Sequence, residues 1–181
     1  QTFTGTTTMD VVAIAGAANF AADVTFAAGA DIITATAGDN NTRVGVNAGI
    51  SIADGGNYNT VMGDSAGTAI STGDLNTFIG YQSGDATTLS GNNVGVGYAS
   101  LGTNIFSSKN VAIGNNALKI HNLASAGEGF NVAVGHTAGE ELTTGINNTF
   151  VGAGAGLSLT VGEQNVAIGK DALSTDDVGA H

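Results

Sequence analysis

Cysteine, proline and tryptophan do not occur in this chain, and basic residues barely do: Arg43, Lys109, Lys119 and Lys170 are the whole set. Without cysteine there is no disulfide, no thiolate metal site and no clue to the redox compartment. Neutralising a nucleic-acid backbone takes clustered Lys and Arg, so four scattered cations in a chain of net charge −11 argue against nucleic acid and against an anionic membrane surface. No apolar run approaches the ~18 residues of a membrane span, so no membrane insertion is expected. Large side chains are scarce as well, with 7 Phe and 3 Tyr in 181 residues. A single-core globule of this size would carry more of them. Small side chains fill only a thin core, such as one coil of a solenoid provides.

What is abundant is glycine: 29 of 181 residues, more than twice the usual ~7%. Much of it falls in a repeat that begins near residue 41. NTRVGVNAG starts at Asn41, NTVMGDSAG at Asn59, NTFIGYQSG at Asn76 and NVGVGYASL at Asn93. NVAIGNNAL follows at Asn110, NVAVGHTAG at Asn131, NTFVGAGAG at Asn148 and NVAIGKDAL at Asn165. Successive asparagines are 18, 17, 17, 17, 21, 17 and 17 residues apart. A repeat of this period is the signature of a stacked architecture in which each unit buries itself against its neighbours.

Each position of the unit has a physical reading. Thr or Val follows the Asn, and two residues later comes Val44, Met62, Ile79, Val96, Ile113, Val134, Val151 or Ile168. Residues two apart share a strand face, so these pairs are expected to form one apolar, core-facing stripe. Gly45, Gly63, Gly80, Gly97, Gly114, Gly135, Gly152 and Gly169 come next. They suit a corner of positive φ or of close backbone approach. The following two positions vary freely and mark a solvent-facing turn. In the second half Ile52, Ile70, Leu142 and Leu159 share one position, and Leu89, Phe106, Leu123, Val161 and Val178 the position two further on. That half reads as a second strand closed by a second turn. The expected fold is therefore all-β: a parallel β-solenoid of about eight ~17-residue coils spanning 39–181, on the order of 40 Å long at one strand spacing per coil.

Residues 1–38 have another rhythm. Ile14, Phe20, Phe26 and Ile32 recur every six residues, which suits β-structure wound about an axis rather than a helix, and reads as a lead-in or neck. The 21-residue interval carries a four-residue insertion within 119–130, expected to bulge from one turn.

The repeat asparagines, Asn41, Asn59, Asn76, Asn93, Asn110, Asn131, Asn148 and Asn165, are expected to form a ladder, each amide bonding its equivalent one coil away. Asn40 and Asn147 fit the N-x-Ser/Thr acceptor pattern, although the repeat itself supplies the Thr. His121, His136 and His181 occupy different repeat positions and share no partners, and the acidic residues read as solvated turn charges. No catalytic residue, metal site or cofactor is expected. A hexapeptide-repeat acyltransferase fails because Lys119 and Asp85 stand where aliphatic anchors would be needed, six residues after Ile113 and Ile79. An ice-binding T-x-T row is also missing.

The unit N-V-A-I-G-x-x-A, at 110–117 and 165–172, resembles the head repeats of YadA-like trimeric autotransporter adhesins. N-T-F-I-G-Y-Q-S-G, at 76–84, resembles repeats of bacteriophage tail fibres. The resemblance covers about 41–181. It implies a left-handed parallel β-roll, three chains about a common axis, an extracellular, cell-surface or virion location, and attachment to a host or matrix.

Self-association has a separate physical argument. The residue between the two stripe positions is Arg43, Val61, Phe78, Gly95, Ala112, Ala133, Phe150 or Ala167. If the stripe faces inward this mostly apolar row faces out, which makes Val61, Phe78 and Phe150 candidate contacts between chains. The expected function is a non-catalytic fibre segment for surface attachment. Because the chain starts at Gln1 and stops on a repeat boundary, a processed subunit that polymerises head to tail is a second reading. A carbohydrate-binding module is a third, since Tyr81 and Tyr98 fall on equivalent turn positions of adjacent coils and could stack on a sugar of a surface receptor.

Overall fold

The computed structural model describes residues 37–175. Nearly all of the 1–38 segment, and the Val178-Gly179 turn, lie outside them. The described residues form a parallel β-solenoid of about seven turns and contain no helix. One strand of three residues recurs in every coil: β1 (Thr42–Val44), β2 (Thr60–Met62), β3 (Thr77–Ile79), β4 (Val94–Val96), β6 (Val111–Ile113), β8 (Val132–Val134), β9 (Thr149–Val151) and β10 (Val166–Ile168). These eight make a single parallel sheet in that order. Its register sets repeat position on repeat position, as in Val61 against Phe78 and Ala133 against Phe150.

The second half of the unit is not a strand. It consists of turns and bends, with one short pair of strands, β5 (Ser107–Ser108) on β7 (Gly127–Glu128), and an isolated bridge at Glu163. Successive coils still bond there through single backbone contacts such as Ser71 N to Thr88 O and Thr143 N to Thr160 O. Ile52, Ile70, Leu142 and Leu159 are buried as expected, but Leu89 and Val161, two residues on, are exposed. The alternation breaks because this backbone is not pleated. The insertion does bulge: residues 124–126 are exposed while the flanking backbone keeps its inter-coil bonds.

The faces of the main strand are opposite to the sequence expectation. Val61, Phe78 and Phe150 are 0% exposed and belong to the core inside the coil, whereas Ile113 and Ile168 are 40% and 69% exposed. The three residues proposed as contacts between chains are therefore internal packing. The reason lies in the asparagine two residues earlier. Its side chain points into the coil, and residues two apart share a face, so the residue after next is drawn inward with it.

Core volume is balanced between two columns, the third and ninth positions counted from Asn. Phe78 and Phe150 face Gly84 and Gly156, while Gly95 and Ala112 accompany the fully buried Leu101 and Leu118. Ala133 and Gly139 are both small, and there the Phe150 ring and Leu118 fill the space from the neighbouring coils. Close packing of a lumen this narrow leaves no room for two large residues in one layer.

Turns repeat as faithfully as strands. The residue before each ladder asparagine has positive φ in all eight copies, including Tyr58, Leu75, Lys109 and Phe130. Left-handed backbone at such residues costs roughly 1 kcal/mol or more each, offset by inter-coil bonds such as Leu75 N to Asn57 O at 3.0 Å.

Candidate functional site

The asparagine ladder runs through all eight copies. Asn59 donates from its backbone N (2.8 Å) and from Nδ2 (3.1 Å) to Asn41 Oδ1, and the same pair of bonds recurs up to Asn165 on Asn148. The other Nδ2 hydrogen crosses the coil. Asn76 reaches Ser90 O at 3.0 Å and Asn93 reaches Ser107 O at 3.1 Å, each 14 residues ahead. The amides of Asn59, Asn76, Asn93, Asn131 and Asn148 thus tie the start of their coil both to the coil before and to its own far end, whereas Asn110 donates back to Ser107 Oγ and Ser108 O and Asn165 to Glu163 O. These bonds are structural.

The repeat glycines stack as tightly. A Cβ on Gly97, where φ is +129°, would sit 2.5 Å from Gly114 O in the next coil.

Coils three to five carry a polar belt inside the roll. Thr87, Asn104 and His121 occupy the position filled by Ile52, Ile70, Leu142 and Leu159 elsewhere, and Ser83, Ser90, Ser100 and Ser107 are buried near them. Counting eleven residues on from each Asn finds this column in the sequence, where His121 reads instead as part of the insertion. His121 is fully buried, with Nε2 2.9 Å from Ser107 Oγ and 3.3 Å from Asn131 Nδ2. Asn131 Nδ2 can only donate, so Nε2 accepts and the ring proton resides on Nδ1, which leaves the Ser107 hydroxyl to donate to Nε2 while accepting from Asn110 Nδ2. Nδ1 has no partner among the described residues. Burial pushes the His121 pKa down to about 4, and the opposing influence of the Thr143 backbone offsets only part of that. The group is neutral at pH 7 and sealed from solvent, with no route for a substrate.

Solvent-facing polar groups gather instead on the flank of the same coils. Tyr81 and Tyr98 meet as expected, their rings stacked with centroids 5.8 Å apart and planes inclined by 22°. Beside them lies an open cleft of about 180 Å³ lined by Gln82, Asp85, Tyr98, Ala99, Gly102, Thr103 and Lys119. It is a gap in two columns. In coil four Ala99 stands between Gln82 and Asn116, and Gly102 stands between Asp85 and Lys119, each 17 residues away. The nearest atoms that a Cβ on Gly102 would meet are Ala99 O at 3.2 Å, Asp85 Oδ1 at 3.6 Å and the Ala99 carbonyl carbon at 3.7 Å. Asp85 is half-buried; desolvation raises its pKa, against two backbone N–H groups, its own and that of Ala86, which lower it. Lys119 turns to Glu140 on the far side, at 3.7 Å. Sequence reasoning located the tyrosines but not the cleft, whose signal is two short residues, Ala99 and Gly102, in one coil between longer ones in the coils on either side.

His136 is exposed on the variable turn. Among the described residues no three His, Asp or Glu side chains come together as a metal site. Comparisons with family models, curated proteins and solved structures found no match to the chain.

Proposed function

We propose that the chain is a non-catalytic structural segment of an extracellular or virion fibre, assembled as a homotrimer and used for surface attachment. The observation that carries this reading is the outer face of the eight-stranded sheet. Its sixteen outward positions, from Thr42 and Val44 to Val166 and Ile168, hold only Thr, Val, Ile and Met. Seven strand spacings make this uncharged strip roughly 34 Å long. Soluble monomers rarely expose a continuous apolar strip of that length, and such strips mark interfaces. Three copies packing their strips about one axis would cover all of them and leave the charged side chains of the described coils off the interface, where the acidic excess opposes lateral aggregation.

Light scattering with negative-stain electron microscopy tests the reading. Compact particles of three chains are expected, and Ile113→Asp with Val151→Asp should dissociate them without unfolding the coil. A monomeric wild type would overturn the proposal. Long uniform filaments would favour head-to-tail polymerisation instead.

A further inference from the structure

We infer that the notch at Gly102 is a binding site for a single pyranose unit of a surface glycan. The inference rests on the attachment role proposed above, and the two fail separately: assembly is read from mass, sugar binding from a direct contact signal.

The notch exists because coil four omits side chains that its neighbours supply. At Gly102 and Ala99 the two columns lose one rung, while the ladder and the glycine column continue unbroken behind them. The void is therefore rigid and pre-formed, its floor held by bonds from Thr103 N to Lys119 O (2.9 Å) and Ala99 N to Tyr81 O (3.0 Å). Pre-formed concavities with a few convergent polar groups are the usual form of a small-ligand site. At about 180 Å³ the notch falls below the ~300–1,000 Å³ typical of drug-sized ligands and suits one six-membered ring.

The walls select the chemistry. Asp85 offers carboxylate acceptors on one side, the Gln82 amide and Thr103 hydroxyl add polar groups beside it, and the Lys119 stem closes the other side while its ammonium pairs with Glu140. A sugar ring presents hydroxyls that donate to the carboxylate and accept from the amide and the hydroxyl. An apolar ligand would strand these groups, and an anion would face Asp85 on an acidic chain. Tyr98 belongs to both features: it lines the cleft, and its ring is braced by Tyr81 behind it. An aromatic ring held in this way is a platform for the C–H face of a pyranose, apolar in body and polar at its hydroxyl. Asp85 is half-covered and incompletely solvated, so its carboxylate is ready to accept hydroxyl hydrogen bonds. The site therefore differs from a tyrosine pair gripping a sugar between its rings, because the two rings already stack on each other.

Saturation-transfer NMR on the intact chain tests the assignment, with methyl glycosides of glucose, galactose, mannose and N-acetylglucosamine as probes and glycerol as control. At least one glycoside should show saturable transfer that glycerol does not. Gly102→Leu, which fills the notch, and Tyr98→Ala should each weaken it by about tenfold or more, a loss of about 1.4 kcal/mol. Asp85→Ala should do the same without altering the backbone, which guards against a folding defect in Gly102→Leu. Tyr81→Ala should reduce binding only a few-fold. Transfer to no glycoside, equal transfer to glycerol, or undiminished binding in both Gly102→Leu and Asp85→Ala would overturn the assignment.

Discussion

Phe78 packs against Gly84 so closely that a Cβ on the glycine would sit 2.5 Å from its ring. Two coils later Ala112 and Leu118 hold the same two positions with the sizes exchanged. Between these two coils the pair trades size from one member to the other, so its members should be exchangeable together but not singly.

Phe78→Ala alone should cost about 3–5 kcal/mol, the range for emptying a buried aromatic site. Gly84→Leu alone should be at least as damaging, because the ring has nowhere to go. The double variant copies the Ala112–Leu118 layer and should recover most of the loss, with a coupling energy of about 2 kcal/mol or more. Chemical denaturation of the four proteins measures it. Additive losses would mean that the layers do not compensate.

The stacked glycines give a contrast between the middle and the end of the sheet. Gly97 faces Gly114 O, whereas a Cβ on Gly169 meets nothing within 4 Å among the described residues. Both have positive φ, so an alanine pays strain of roughly 1–3 kcal/mol at either. Only Gly97→Ala also forces two coils apart, and its thermal midpoint should fall well below that of Gly169→Ala.

Adjacent asparagines make the ladder testable. Asn93 is fully buried and bonds Asn76 Oδ1, Ser107 O and both nitrogens of Asn110. Asn93→Ala orphans several of these at roughly 1–3 kcal/mol each and should prevent cooperative folding or nearly so. Asn92, exposed with φ of 59°, should lose only about 1 kcal/mol as alanine. Circular-dichroism melts of the two variants separate these outcomes.

His121 should give the roll an acid-sensitive belt. Its pKa is about 4 when folded against 6.5 when free. Above pH 6.5 both states hold it neutral and stability does not depend on it. Between pH 6.5 and 4 the unfolded chain takes up a proton that the folded chain refuses, so stability falls with pH, by about 3 kcal/mol in total at ~1.4 kcal/mol per unit. Below that window the loss levels off. His121→Leu, matching Leu142 and Leu159, should remove this slope. Asp85, whose pKa is raised, contributes the opposite slope near its own titration, and it cancels in the difference between variant and wild type. Denaturant midpoints from pH 4 to 7 would show parallel curves if His121 were not responsible.

Much of this architecture is written in one dimension. Eight asparagines at a near-constant interval can stack only if each coil is one interval long, and an amide that stacks on its equivalent needs no further information to make a ladder. The glycine column follows for the same reason, since backbone from successive coils must meet at one corner. What periodicity cannot carry is a sign. Alternation along Thr77, Phe78 and Ile79 says that neighbours face opposite ways, and nothing in that alternation says which way is in. The closed coil decides it: the buried asparagine brings Phe78 inward, and the lumen accepts that ring because Gly84, six residues along the chain, yields the space. The second half of the unit, where hydrophobic spacing suggested a strand, stays irregular because its backbone bonds to neighbouring coils singly rather than as a pleated ladder. His121 enters the core by its place in the coil rather than by its nearness to the insertion. The notch at Gly102 is a relation among three coils, formed by side chains 17 residues apart on either side of one that is missing. The repeat alone determined the stack, and only closure of the coil determined its inside, its outside and the gap in its flank.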